Sequence, residues 1–167
     1  NIGDKASVKT ILRELLQSPK TAQTLKLELL RQVIASSQKD NNPDSTEVLR
    51  LFSEALAVPQ ENADIYMLKA AYMSFLKLPK PDITRVYERA IEIEPDNSSA
   101  RIALIQNIWD THDYDKVIAI CRPAIEYNPD EMIFYYFQGM AQFQKHDNNA
   151  ALETFRKGVG QIKPDSD

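Results

Sequence analysis

"AIEIEPDN", Ala90–Asn97, and "AIEYNPDE", Ala124–Glu131, carry Ala, Ile, Glu, Pro and Asp at matching places 34 residues apart. Ala-Ile-Glu reads as the last turns of a helix, and Pro-Asp as its stop and the lead-in to the next. A fixed interval of this length marks a supersecondary unit copied along the chain. Ile83 and Tyr87 precede the first stretch as Val117 and Cys121 precede the second. One period further on stand Ala151, Phe155 and Gly158, with Pro164 one residue late. A degenerate earlier copy holds Val48, Phe52, Ala55 and Pro59.

Outside these copies the apolar residues keep helical spacing. Val8, Ile11, Leu12, Leu15 and Leu16 form one amphipathic stripe, and Leu25, Leu29, Leu30, Val33 and Ile34 form another. Ser18-Pro19 separates them, Ser18 as an N-cap and Pro19 as a first-turn residue. Asn41-Asn42-Pro43 precedes a helix whose Asp44 and Glu47 have capping-box spacing, and Val58-Pro59 ends it. Leu78-Pro79-Lys80-Pro81 is a stiff turn before a helix over 82–94. Pro95-Asp96-Asn97, His112-Asp113, Asn128-Pro129-Asp130 and His146-Asp147 supply the later stops and caps. The expectation is nine helices of roughly 11–17 residues with short connections, and no strand.

The 167 residues are 43% hydrophobic and 26% charged, an ordinary globular balance that argues against disorder. One Cys excludes an internal disulfide framework and a Cys-based zinc cluster. Net charge is -4, so no global field draws the chain to nucleic acid. Residues 1–40 hold 7 Lys+Arg against 4 Asp+Glu, a mild excess that a solvated helix face explains. No apolar run approaches the roughly 18 residues that span a bilayer. The chain begins at Asn1, which reads as a processed or shortened piece.

"FYYFQGMAQFQKHDNNA", Phe134–Ala150, sets Tyr135 in an aromatic slot, Gly139 where two helices approach closely, and Phe143 in a later large slot. Together with the 34-residue interval, this resembles the tetratricopeptide repeat family. The resemblance covers 44–164 with three clear repeats, and residues 1–43 look like a degenerate helical hairpin of the same kind. Two departures stand out: Gln138 occupies a Leu slot, and Ala71 stands where Gly is expected. The resemblance implies an all-α chain, a right-handed superhelix (α-solenoid) of stacked antiparallel hairpins forming one continuous array over 44–167. First helices would line its concave face.

The resemblance also implies a protein-interaction scaffold that holds an apolar peptide or helix of a partner in that groove. Carried over slot by slot, the groove residues are Ile65, Leu68, Tyr72 and Phe75, then Ile102, Gln106 and Trp109, then Ile133, Tyr136, Met140 and Phe143. Aromatic anchors dominate interface energetics and Met adapts to varied partners. Aromatic stripes on helices also serve as core, and both readings stay open. The Lys, Asn and Arg with which some family members clamp a C-terminal carboxylate are missing from these slots.

Other chemistry finds little support. His112-Asp113 and His146-Asp147 suggest a metal pair, but each His occupies a turn position suited to left-handed backbone and each Asp the following N-cap. Cys121 shares its slot with Tyr87 and Phe155, which makes it buried and inert. No nucleophile–base arrangement, phosphate loop or paired carboxylates appear, so neither an enzyme nor a cofactor site is expected. Pro123 falls inside a helix over 114–127, at a cost of ~3 kcal/mol unless packing compensates. Gly158, Gly160 and a closing "KPDSD" leave the last repeat without a polar capping helix. That points to a fragment of a longer protein, or to self-association or docking through the array ends. A spacer or regulatory segment of a larger protein is the alternative to a peptide-binding groove, and RNA reading by helical repeats is disfavoured by the acidic balance.

Overall fold

A computed structural model describes residues 2–39 and 44–162. Asn41, Asn42, Pro43, Pro164 and the "KPDSD" end lie outside the described residues. Nine α-helices follow in order, with no strand among the described residues. They are α1 (Ile2–Gln17), α2 (Gln23–Lys39), α3 (Ser45–Ala55), α4 (Asp64–Phe75), α5 (Lys80–Ile93), α6 (Ser98–Ile108), α7 (Tyr114–Tyr127), α8 (Met132–Gln144) and α9 (Asn148–Val159). A single 3-10 turn, Trp109–Thr111, extends α6.

The helices start and stop where short polar side chains satisfy the free backbone amides of a first turn. Asp44, Asn97, Asp113 and Asp147 each accept from the amide three residues on, at 2.9–3.2 Å. Ser18 departs from expectation. Its hydroxyl accepts from the Lys20 amide within the turn, and α2 begins later at Gln23. Likewise α3 closes at Ala55, ahead of Val58-Pro59.

Left-handed residues set the register of the later helices. Among non-glycine residues only Lys77, His112 and His146 have positive φ, at 55°, 59° and 63°, within the described chain. Their spacing is 35 and then 34 residues, so the turn after α4 is one residue longer than the next. Seven residues before each stand Ala70, Ile105 and Gly139, and all three are buried. Twelve before each stand Ile65, Ala100 and Phe134, fully buried as well. The 34-residue frame therefore misreads α4 by one place. Ala70, not Ala71, turns inward, and Ile65 and Tyr72 are core rather than groove residues.

The described residues form two compact units, the first ending at Lys77 and the second beginning at Leu78. In the first, α1 and α2 each pack chiefly on α3. Leu16, Leu30, Val48, Leu51, Phe52 and Ala55 form its core with Ile65 and Tyr72, and the Phe52 and Tyr72 rings lie 6.2 Å apart. Each such large apolar side chain contributes roughly 1.5–3 kcal/mol on full burial. The loop before α4 is fixed by Gln23, whose amide donates to Asn62 Oδ1 at 2.7 Å and whose carbonyl accepts from the Glu61 amide at 2.7 Å.

In the second unit consecutive helices pack pairwise from α5 to α9. Polar staples recur with the repeat: Arg101 Nε donates to the Pro95 carbonyl at 2.9 Å, and the Tyr135 hydroxyl to the Pro129 carbonyl at 3.0 Å. Arg101 Nη1 also donates to the Ile120 carbonyl at 2.9 Å. That bond falls in the turn just before Pro123, and α7 runs unbroken from Tyr114 to Tyr127 despite the proline. The proline is therefore accommodated without a break in the helix.

Two glycines allow the closest helix approaches. A Cβ on Gly139 would enter the Phe155 ring, whose far edge can swing away because the side chain is only half-buried. A Cβ on Gly158 would lie 2.8 Å from Tyr135 Cβ, an atom that moves only with the α8 backbone. Gly158→Ala is therefore expected to destabilise by about 1–3 kcal/mol through overpacking, even though alanine is the better helix former by about 1 kcal/mol. Gly139→Ala should cost less. Urea unfolding of the two variants checks the order.

Candidate partner-binding site

Of the expected groove residues on α6 and α8, ring contacts through Phe137 link Trp109 to Tyr136. On α8 the stripe Ile133, Tyr136, Phe137, Met140 and Phe143 follows three- and four-residue spacing, opposite the buried Phe134, Tyr135, Gly139 and Ala141. Tyr136 is 52% exposed and Phe143 53%. On α6, Ile102 is half-buried and Gln106 exposed, while Trp109 begins the 3-10 extension and is half-buried.

Rings join the two helices. Tyr136 meets Phe137 at 5.6 Å between centroids, Phe137 meets Trp109 at 5.7 Å, and Trp109 meets Tyr114 at 5.8 Å. His112 lies 5.8 Å beyond, its Nδ1 2.8 Å from the Tyr114 hydroxyl. Tilted and edge-on pairs of this kind contribute about 0.5–1.5 kcal/mol beyond their buried area. The result is a continuous aromatic strip from α8 to the start of α7, held in place by its own packing. Phe137 and Tyr114 were not among the expected site residues. Phe137 was legible, four residues after Ile133 on the same stripe; Tyr114 had no periodic signal.

The other expected residues belong to the first unit. Ile65 and Tyr72 are in its core, Leu68 packs half-buried against that core, and Phe75 is 64% exposed at the end of α4, its ring stacked on Tyr72 at 6.5 Å. Beside Trp109, Lys80 pairs with Asp110 and its hydrogen bond holds that carboxyl below the usual carboxylate range. Asn107 donates to Thr84 Oγ1 at 2.9 Å. His112 and His146 sit in left-handed turns and Asp113 and Asp147 cap α7 and α9, as turn chemistry requires.

Cys121 is fully buried, and burial pushes its thiol up to about 12. The folded chain keeps the proton that the unfolded thiol loses above about 9, so this group's contribution to stability falls as pH rises through that interval. Native Cys121 is expected to resist a thiol reagent at mildly alkaline pH and to react fully in denaturant. Rapid native labelling would contradict the buried placement.

No protein-family profile matches the sequence, and no curated protein matches it. Solved structures do share its fold. The crystal structure of MamA is 18% identical with a TM-score of 0.62, covering 96% of this chain and 94% of that one. MamA from Desulfovibrio magneticus RS-1 is 15% identical with a TM-score of 0.58, covering 81% and 75%. YrrB, described as a TPR protein with an unusual peptide-binding site, is 21% identical with a TM-score of 0.54, covering 72% and 61%. The chain has an all-helical fold of the tetratricopeptide type. No helix among the described residues is long and apolar enough to cross a membrane.

Proposed function

We propose that the chain is a non-enzymatic protein-interaction scaffold, and that the α6–α8 face of its second unit takes an apolar segment of a partner protein. The observation that carries this reading is the aromatic strip. Tyr136 and Phe143 are more than half exposed, and Trp109, Phe137 and Met140 extend the same surface. Soluble proteins seldom leave large contiguous apolar patches without a partner. Rigid aromatics that other rings already hold lose little entropy on binding. The fold shared with YrrB, itself a peptide-binding protein, supports a peptide or helix as the occupant.

Peptides selected on the parent chain from a random library test the reading. They are expected to carry apolar or aromatic anchors, and a Tyr136→Ser, Phe143→Ser variant should bind them at least tenfold more weakly, about 1.4 kcal/mol or more. Because both side chains are exposed, its melting temperature should hold within a few degrees. Equal binding by the variant would remove the α6–α8 face from the function.

A second reading has its own observation. Leu152, Val159 and Ile162 are 48%, 64% and 62% exposed at the C-terminal edge. Self-association through that edge would bury them, as stacked repeats bury such faces. Light scattering should then show mass rising with concentration, and Val159→Asp should abolish the rise. A constant monomer mass would discard this reading.

A further inference from the structure

The chain carries two apolar surfaces outside the α6–α8 face, and their dimensions match. One is a cleft of about 520 Å³ in the first unit, lined by α1, α2 and α3. Ile11 and Leu15 stand on its α1 side, Leu29 and Val33 on its α2 side, and Val48 and Leu51 on its α3 side. Val8 and Ile11 are 63% and 56% exposed there. The other surface is the outer face of α9, which packs chiefly on α8. Leu152, Arg156 and Val159 share that face by four- and three-residue spacing and are all exposed. Ala151, Thr154 and Gly158 are buried on the other side of the helix.

Length and charge both fit. From Leu152 to Val159 α9 rises about 10 Å, and Val8 to Leu15 on the cleft wall is the same interval. A helix segment of that length, about 10–12 Å across, exceeds the cleft volume, so a row of side chains from one face is what enters. Carboxylates outnumber cations in the lining, Asp44 and Glu47 against Lys9. Glu47 is engaged by Arg50 at 2.7 Å and by Arg13 at 3.3 Å. The Asp44 side chain accepts from the Glu47 amide at 3.0 Å and has no cation partner among the described residues. Lys9 is exposed and keeps its charge in solvent. On α9, Lys157 is held by Glu153 at 2.8 Å, while Arg156 has no ion pair among the described residues. The free guanidinium of one surface and the free carboxylate of the other are therefore complementary.

We propose that α9 of one copy of the chain docks on the α1–α3 cleft of a second copy, Leu152 and Val159 entering the cleft and Arg156 meeting Asp44. The inference rests on the self-association reading above and assigns it a receiving surface. Stacked repeats cover the face of one hairpin with the next, and the α1–α2 hairpin of the second copy performs that covering here. Burial of Leu152, Val159, Val8 and Ile11 supplies the attraction, and the rim pair sets the register more than the affinity. The two surfaces differ, so the contact is heterologous, and copies joined by it close into a ring or continue as a chain.

The experiment is sedimentation equilibrium of the whole chain from roughly 1 μM to 1 mM, with two variants run alone and mixed. The parent's mass should rise with concentration. Val159→Asp disables the donor face and Ile11→Asp the cleft, both at exposed positions, and each variant alone should stay monomeric with parental helicity. Val8→Asp replaces Ile11→Asp if helicity is lost. An equimolar mixture should form a one-to-one pair and nothing larger, because one intact donor face and one intact cleft remain. Arg156→Glu should weaken association severalfold. A parent that stays monomeric overturns both this inference and the self-association reading. If Ile11→Asp associates as the parent does while Val159→Asp does not, the C-terminal edge self-associates without the cleft and this inference alone falls. Failure of the mixture to pair overturns it equally, since an α9-to-α9 contact gives no such rescue.

Discussion

The left-handed residue at the end of a helix decides what the rest of that helix shows to solvent. A non-glycine residue in this region is uncommon, and His is among the side chains that adopt it most readily. Counting back from Lys77, His112 and His146 places Ala70, Ile105 and Gly139 at one buried level and Ile65, Ala100 and Phe134 at another. One additional residue in the turn after α4 rotates that helix by about 100° relative to a strict repeat. Such a rotation exchanges a groove residue for a core residue without altering any side chain. Ile65 and Tyr72 are that exchange made visible.

Once the register is fixed, the polar requirements of the turns follow. The Pro-Asp turns between helices carry backbone carbonyls of their own that need partners. Arg101 and Tyr135, 34 residues apart, solve the same problem with different chemistry, each donating to the carbonyl of the proline six residues earlier. Arg101 does more, because the residue is only 6% exposed and its guanidinium also holds the Ile120 carbonyl before Pro123. Desolvation lowers its pKa, and the two carbonyls compensate part of the cost of burying its charge. The repeat therefore keeps a contact while the residue that makes it changes.

What the sequence makes legible is what has a period. Helix number and type, the α7 limits, the caps at Asp44, Asn97, Asp113 and Asp147, and the turn roles of both histidines all follow from local chemistry. The α8 stripe was readable for the same reason. The inward face of α4 was not, because a one-residue change in a turn is invisible to a frame counted in whole repeats. Tyr114 joins the aromatic strip through a contact in space with Trp109, and no spacing along the chain announces it. A cleft of about 520 Å³ lined by α1, α2 and α3 was equally hidden, since an amphipathic stripe states that a face is apolar and not whether a neighbour fills it.

Trp109 shows why the two readings of an aromatic stripe, core and contact, need not exclude each other. Its ring touches both Phe137 and Tyr114, so removing it would withdraw two edge contacts and loosen the junction of α6, α7 and α8. The same contacts hold it, half-buried, against Phe137, which meets Tyr136 in turn. A side chain ordered before binding loses less freedom when a partner arrives. On the proposed function, structural and recognition roles converge on one residue, because the packing that stabilises the helix junction also orders the surface. Tyr136 and Phe143, each about half exposed, lie where the proposed contact surface can be altered separately from folding.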